Sequence, residues 1–293
     1  MSPASDTTKG RLAIIAGSGF LPSYVAEAAR AAGENPLVIA LKNETDRSWD
    51  GFEHSIVGVG DFAAIDRLLE NNRIERVVMS GAVRRRPEWR EVRPTLKTLA
   101  TIPSTIRTLL SGGDDTVLRM VIGLIEKNGR RVIGVQEIAP DLLAAVGPLG
   151  SIAPSADDVK DIARAGAAAD ALGRLDVGQG AVSVGGRIVA LEGVEGTDSM
   201  LERVAELRAA GRITTRRRGV LVKLCKPQQD LRADLPSIGM STIENARKAG
   251  LAGVAIEAGR ALVLDRPAVI AAAKDAGIFV CGLDRGLPSW GLE

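Results

Sequence analysis

Apolar residues in this chain fall in short uninterrupted runs rather than in strict alternation with polar ones. The runs Arg11–Gly17, Pro36–Leu41, Ser55–Val59, Arg76–Gly81 and Arg131–Val135 are apolar almost throughout. A strand apolar on both sides of its pleat is buried on both faces, as in a parallel sheet covered by helices. Between these runs the spacing shifts to the helical period over Tyr24–Ala32, Phe62–Asn71 and a longer region, 94–128, where Asp114-Asp115 marks a helix start before Val117–Lys127. Strand and helix alternate, so residues 1–138 are expected to form a Rossmann-like parallel-sheet α/β domain.

The stretch 139–154 carries Pro140, Pro148 and Pro154 with Gly147 and Gly150, which predicts a linker. Beyond it, 155–293 reads as a second, mixed α/β domain with antiparallel elements. Its parts are a helix over Ala156–Leu172, a hairpin of Gly180–Val184 and Arg187–Leu191 around Gly185-Gly186, and a helix over Leu201–Ala210. A strand at Gly219–Val222, a helix over Thr242–Ala249, strands at Ala252–Ile256 and Arg260–Leu264, a helix over Arg266–Ala276 and a last strand at Ile278–Gly282 follow. Leu287–Glu293 reads as a frayed tail.

Composition narrows the classes. At 293 residues the chain is longer than one core usually serves, which agrees with two domains. Aromatics are only 3% of residues, so Ala, Val, Leu and Ile must fill the interior. A formal charge of +2, with no basic run interleaved with aromatics, argues against nucleic acid as a partner. Cys225 and Cys281 alone make neither a metal knuckle nor a secreted disulfide framework, so a reducing, cytoplasmic compartment is expected. Met1–Gly10 is polar and lacks the apolar core of an export signal, and no apolar stretch reaches the length of a membrane span. His54 is the single histidine, which excludes sites built on several histidines and leaves acid–base or metal chemistry to carboxylates.

Those carboxylates concentrate in two strand-end loops. Lys223–Gly239 follows an apolar strand and holds Asp230 and Asp234 with Arg232 between them, bracketed by Pro227 and Pro236. Loops at strand ends commonly carry catalytic charge, although an isolated Asp-x-Arg-x-Asp reads first as a solvated turn paired with itself. Upstream, Glu192, Glu195 and Asp198 share a glycine-containing loop before a helix, where they form either a cap with solvated charge or part of a cation site. All-oxygen ligands of this kind suit Mg²⁺, and a cap by Thr197 or Asp198 is compatible with such a site. The turn Gly17-Ser18-Gly19 serves a nucleotide phosphate or turn geometry alone. Pro22 stands where a third glycine is needed and Ala40-Leu41-Lys42 ends the second strand without an acid, so bound NAD is not expected.

Three segments together resemble the LpxI-type UDP-2,3-diacylglucosamine pyrophosphatases. They are Val220–Lys223 with Gln229-Asp230-Leu231-Arg232-Ala233-Asp234-Leu235-Pro236-Ser237-Ile238-Gly239, then Val189–Asp198, and Ile15–Pro22. The resemblance implies an Mg²⁺-dependent hydrolase of lipid A biosynthesis. Its substrate would be UDP-2,3-diacylglucosamine, and its products UMP and 2,3-diacylglucosamine 1-phosphate (lipid X), with water attacking the sugar-side phosphorus. It also implies a family-specific C-terminal catalytic domain and a cytoplasmic protein peripheral at the inner face of the inner membrane. Asp230, with Asp234 second, maps onto the essential aspartate. On that basis Asp230 binds metal or orients water, while Asp198, Glu195 or Asp234 completes the metal shell. Lys223 and Arg232 clamp phosphates, and Gly17, Ser18, Gly19, Gly196, Thr197 and Gln229 contact substrate. Cys225 is expected only to pack. The cationic clusters Arg84-Arg85-Arg86 with Arg90 and Arg93, and Arg212 with Arg216-Arg217-Arg218, are candidate membrane contacts. A homodimer is compatible with the sequence and not dictated by it. Two other classes stay open: a nucleotide-binding regulatory module, and a nucleotidyl or sugar-phosphate transferase.

Overall fold

The computed structural model describes residues 10–83 and 114–292. The chain divides into two compact units, one of Met1–Pro140 with Asp230–Asp234, the other of Asp141–Gln229 with Leu235–Glu293. The cluster Arg84-Arg85-Arg86 with Arg90 and Arg93, and the part of the expected 94–128 helical region before residue 114, lie outside the described residues.

The first unit is built on five parallel strands, β1 (Leu12–Ala16), β2 (Leu37–Leu41), β3 (His54–Val57), β4 (Arg76–Ser80) and β5 (Arg131–Ile133), in the order β3-β2-β1-β4-β5. Every residue of β1 and β2 is buried, as uninterrupted apolar runs require of strands covered on both faces. Helices α1 (Leu21–Ala31), α2 (Phe62–Asn71) and α3 (Asp114–Glu126) supply cover. The Asp61 carboxylate caps α2 by accepting the Ala64 N–H at 3.0 Å. Ile65 and Leu69 of α2 and Ile122 and Ile125 of α3 pack with Ile39 and Val77 in one apolar core, with Ala233 against it. In this order the sheet changes direction of winding between β1 and β4, and ligands of such folds bind outside the strand ends at that point.

In the stretch expected as a linker, Leu142 and Ala144 are buried and β6 (Gly147–Pro148) pairs antiparallel with β13 (Phe279–Leu283). The sheet of the second unit runs β6-β13-β11-β9-β7-β8, with β7 (Gly180–Val184), β8 (Arg187–Leu191), β9 (Val220–Lys223) and β11 (Gly253–Glu257). Strands β9, β11 and β13 are mutually parallel, whereas β7 is antiparallel to both its neighbours. The hairpin turn at Gly185-Gly186 uses left-handed φ at both glycines, as its two-residue loop demands. The buried Asp161 carboxylate on α5 (Ala156–Arg174), numbering the four-residue helix Val135–Ile138 as α4, fixes that turn by accepting both glycine N–H groups and the Ser183 hydroxyl. Ile162, Ala165 and Ala169 of α5 cover one face of the sheet. The other face packs on α6 (Gly196–Ala209), α7 (Met240–Lys248) and α8 (Arg266–Asp275), with Met200, Leu201, Ile243 and Val269 buried. A short parallel pair joins β10 (Ser237–Ile238) to β12 (Leu262–Val263), so the strand expected over Arg260–Leu264 is reduced to two residues.

Two expectations change here. Helix α6 starts at Gly196 rather than Leu201, and neither Thr197 nor Asp198 caps it, because both lie inside its first turn. The tail is not frayed: Trp290 is half-buried against α5 at Gly166, where a Cβ would meet the indole at 2.7 Å.

Candidate active site

In the first unit the turn after β1 docks against the turn after β4. Gly17 N–H donates to Ser80 O (2.8 Å), and Ser18 and Ala82 exchange backbone hydrogen bonds at 2.9 and 3.0 Å. A Cβ at Gly17 would stand 2.4 Å from Ala82 O, so glycine is required there by the approach of two backbones. The Gly19 N–H donates to the Asp46 carboxylate at 3.2 Å. All three amides of the glycine turn therefore have protein acceptors, and a phosphate there would compete with Asp46.

The segment 230–234 carries the signature charges. Arg232 binds the Asp230 carboxylate with both ends of its fork, Nε to Oδ1 at 3.0 Å and Nη2 to Oδ2 at 2.7 Å, while its own N–H reaches Oδ1 at 3.0 Å. Its remaining Nη1 donates to Glu126 at 2.8 Å, so the guanidinium is fixed between two carboxylates. Hydrogen bonding to Arg232 is the largest cause holding the Asp230 pKa below the usual carboxylate value, with the charge of Arg119 adding to it, while Asp230 first and Glu126 second raise Arg232. The self-paired turn is thus present, but it is anchored on α3. A cavity of about 370 Å³ lies at the β1–β4 switch point, with Gly17, Met79, Val121 and Phe62 in its walls and Ala233 and Asp234 on one side.

In the second unit the run Lys223–Gln229 is tied at several points. The buried Lys223 ammonium donates to Ser237 O at 3.0 Å. The Glu257 carboxylate, at the end of β11, accepts the Cys225 N–H at 2.9 Å, and Arg285 donates to Cys225 O at 2.7 Å and forms an ion pair with Glu257 at 3.0 Å. Gln229 Oε1 takes the Lys226 N–H at 3.1 Å and lies 3.4 Å from Cys225 Sγ, consistent with a packing role for that buried thiol. Nearby in sequence, Glu192 is buried, accepts the Thr197 hydroxyl at 2.7 Å and sets the first turn of α6. Glu195 pairs with Arg203 at 2.8 Å, and Asp198 accepts from Asn245 at 3.1 Å. Gly196 enters the helix with φ of 79°, a conformation that favours glycine.

Residues 11–142 match the family model described as the LpxI N-terminal domain, and 145–281 match the LpxI C-terminal domain. The chain belongs to the LpxI family. A curated relative from Caulobacter vibrioides, named UDP-2,3-diacylglucosamine pyrophosphatase LpxI, is 43% identical over 94% of this chain and 98% of its own length. Among solved structures, a GalE-like L-threonine dehydrogenase from Cupriavidus necator in its holo form covers 97% of this chain and 94% of its own at 13% identity, with a TM-score of 0.30, too low to carry an argument.

For an LpxI family member the sorting of site residues by unit matters. Asp230, Arg232, Asp234 and the glycine turn belong to the first unit, and Lys223, Gln229, Glu195, Gly196, Thr197 and Asp198 to the second. Among the described residues no group of three or more His, Cys, Asp or Glu side chains is placed to hold a metal ion. Glu195 and Asp198 face separate protein partners, Arg203 and Asn245, so these two fit a shared cation poorly. Asp230 alone fits better, because Mg²⁺ commonly takes one or two carboxylates and completes its shell with waters and substrate phosphates. Glu126, Arg119, Glu257 and Arg285 were not among the residues singled out from the sequence. The available signal was weak: Glu257 closes an apolar strand, and Arg285 follows another by two positions.

Proposed function

We propose that this chain hydrolyses the pyrophosphate of UDP-2,3-diacylglucosamine to UMP and 2,3-diacylglucosamine 1-phosphate. The observation that carries the reading is the 43% identity, over nearly the whole of both chains, to a relative named for that activity. Water attacks the sugar-side phosphorus, the bond from that phosphorus to the bridging oxygen breaks, and UMP leaves with that oxygen. Such a step needs charge neutralised on the phosphoryl oxygens and one water held in line. Arg232, fixed between Asp230 and Glu126, is a rigid cation for the first task. Asp230 is ionised at neutral pH and suits the second, orienting the water or accepting its proton. Lys223 is the cation of the second unit offered to phosphate. A requirement for Mg²⁺ belongs to this reading: Asp230 would hold the ion, whose bound chemistry is charge neutralisation at the phosphates.

The test is release of UMP by purified protein in ¹⁸O-water, with and without Mg²⁺, alongside Asp230→Ala. Expected are label in the sugar phosphate and none in UMP, and a variant that folds and binds substrate with turnover lost. Wild-type activity in Asp230→Ala would remove that residue from the mechanism. Product without label would favour a transferase, and no UMP at all a binding module.

A further inference from the structure

We infer that Glu126 is a positioning residue that acts through Arg232: it is a second seat for that guanidinium and holds it when Asp230 lets go. The inference rests on the reading above, in which Asp230 and Arg232 both serve the phosphoryl step. As found, the two occupy each other. Asp230 Oδ1 accepts the Arg232 backbone N–H and Nε–H, each at 3.0 Å, and Oδ2 accepts from Nη2 at 2.7 Å. A carboxylate gripped at both oxygens has little left for a water, and a guanidinium edge engaged by it offers little to a phosphate. Both can act only if the grip is exchanged. Arginine carries its N–H donors in a rigid fork, so one edge can be vacated while another holds. Asp230 takes the Nε–Nη2 edge, and Glu126 already accepts from Nη1.

The second seat is half made. Glu126 Oε1 accepts Arg232 Nη1 at 2.8 Å and the Val132 N–H at 3.4 Å, whereas Oε2 accepts no hydrogen bond among the described residues. Turning the Nη1–Nη2 edge onto both Glu126 oxygens makes a bidentate pair, the stronger arrangement for arginine with a carboxylate. The backbone of the segment need not move for this. Ala233 N–H donates to Asp230 O at 3.0 Å, Gln136 Nε2 donates to Leu231 O at 3.3 Å, and Ala233 packs on the core that holds Ile122 and Ile125. None of these contacts uses the Arg232 side chain. Arg232 and Glu126 are 39% and 36% exposed, so a rotamer change at their junction meets solvent rather than packed neighbours. Charge drives the exchange. The anionic oxygens of a pyrophosphate compete with the Asp230 carboxylate for the Nε–Nη2 edge, and Asp230 is then released toward the water. Glu126 keeps the arginine oriented throughout; without it, release by Asp230 leaves the guanidinium with no fixed protein partner, the kind of misplacement that lowers rate.

The experiment uses the full chain with isotope-labelled arginine and follows rotation of the Arg232 guanidinium by NMR, its signal identified by loss in Arg232→Gln. In wild type and in Asp230→Asn the rotation should stay about tenfold slower than in fully exposed arginines. In Asp230→Asn/Glu126→Gln it should match them. Free rotation in Asp230→Asn, or rotation still slow in the double variant, overturns the inference whatever the protein's activity. Release of UMP is the second arm. Glu126→Gln should lower kcat by about ten- to a hundredfold, leave KM within about twofold of wild type and leave the thermal midpoint unmoved. Glu126→Asp should recover part of the loss, and Glu126→Gln should have no further effect in an Arg232→Gln background. Losses that multiply in that background, or wild-type turnover in Glu126→Gln, overturn the inference. If wild type releases no UMP while the rotation behaves as stated, the second seat stands and the proposed reaction falls. If Glu126→Gln does not fold, Glu126→Asp and the comparison of wild type with Asp230→Asn decide by rotation.

Discussion

Replacing Glu257 should uncouple the run 225–229 from the sheet that holds it. The Glu257 side chain is 6% exposed, accepts the Cys225 N–H at 2.9 Å and forms ion pairs with Arg285 at 3.0 Å and, more loosely, with Arg260 at 3.9 Å. Truncation to alanine leaves a buried amide and part of a guanidinium without their acceptor. Hydrogen bonds to charged groups contribute about 1.5–3 kcal/mol each, and removing one partner of a buried pair costs about 3–5 kcal/mol. At about 2–4 °C per kcal/mol for a unit of this size, the thermal midpoint should fall by roughly 10 °C. Glu257→Gln is the informative companion, since its amide oxygen still accepts from Cys225 while the charge facing Arg285 is gone. It should lose about half as much. Calorimetry at neutral pH measures both. A midpoint for Glu257→Ala within about 2 °C of wild type, or a glutamine variant as damaged as the alanine one, would refute the two-bond account.

Three further outcomes follow. Because Arg232 lowers the folded pKa of Asp230, the stabilisation from that pair should be fully present above the unfolded value of 3.8 and vanish as pH falls through the lower folded value. The stability gap between wild type and Asp230→Asn, followed by urea unfolding, should therefore be flat above about pH 5 and close below it; a gap that widens on acidification would contradict the pairing. Gly17→Ala should cost about 1–3 kcal/mol by overpacking, since its Cβ meets Ala82 O at 2.4 Å; an unaltered thermal midpoint would show that the two turns yield. In the cluster at 212–218, Arg218 is committed to Gly277 O and Leu251 O and Arg217 to Asp157, which leaves the exposed Arg212 and Arg216 as the better membrane candidates. Co-sedimentation should favour anionic over neutral liposomes and drop in Arg212→Glu/Arg216→Glu, and equal partitioning in all cases would retire membrane attraction through this cluster.

Much of the fold was legible because burial on both faces writes itself as unbroken apolar runs. The parallel first sheet followed from Arg11–Gly17, Pro36–Leu41 and Arg76–Gly81, and the hairpin from Gly185-Gly186. The start of α6 was hidden because Gly196 and Thr197 read as loop, whereas the Thr197 hydroxyl turns back to buried Glu192 and lets the helix begin early. The surroundings of Asp230 were harder to foresee. Local spacing suggests Asp230 with Arg232, but the bond from Arg232 to Glu126 joins positions 106 apart, beyond the reach of any periodicity. Glu257 and Arg285 were missed for the same reason, since their shared partner Cys225 lies on a different strand end. The absence of several histidines, read from composition alone, did direct attention to the carboxylates.

The membership of Asp230–Asp234 in the first unit bears on how the protein is made. The chain enters that unit, leaves it, returns for five residues and leaves again. During synthesis the N-terminal sheet can form early, yet it lacks the Ala233 contact with its core and the Arg232 partner of Glu126 until residue 234 has emerged. Severing the gene near position 140 would yield an N-terminal fragment without its signature aspartates. The segment that carries Asp230, Arg232 and Asp234 is also a late-arriving closure of the earlier fold, so this unit completes its core and gains its signature charges in the same event.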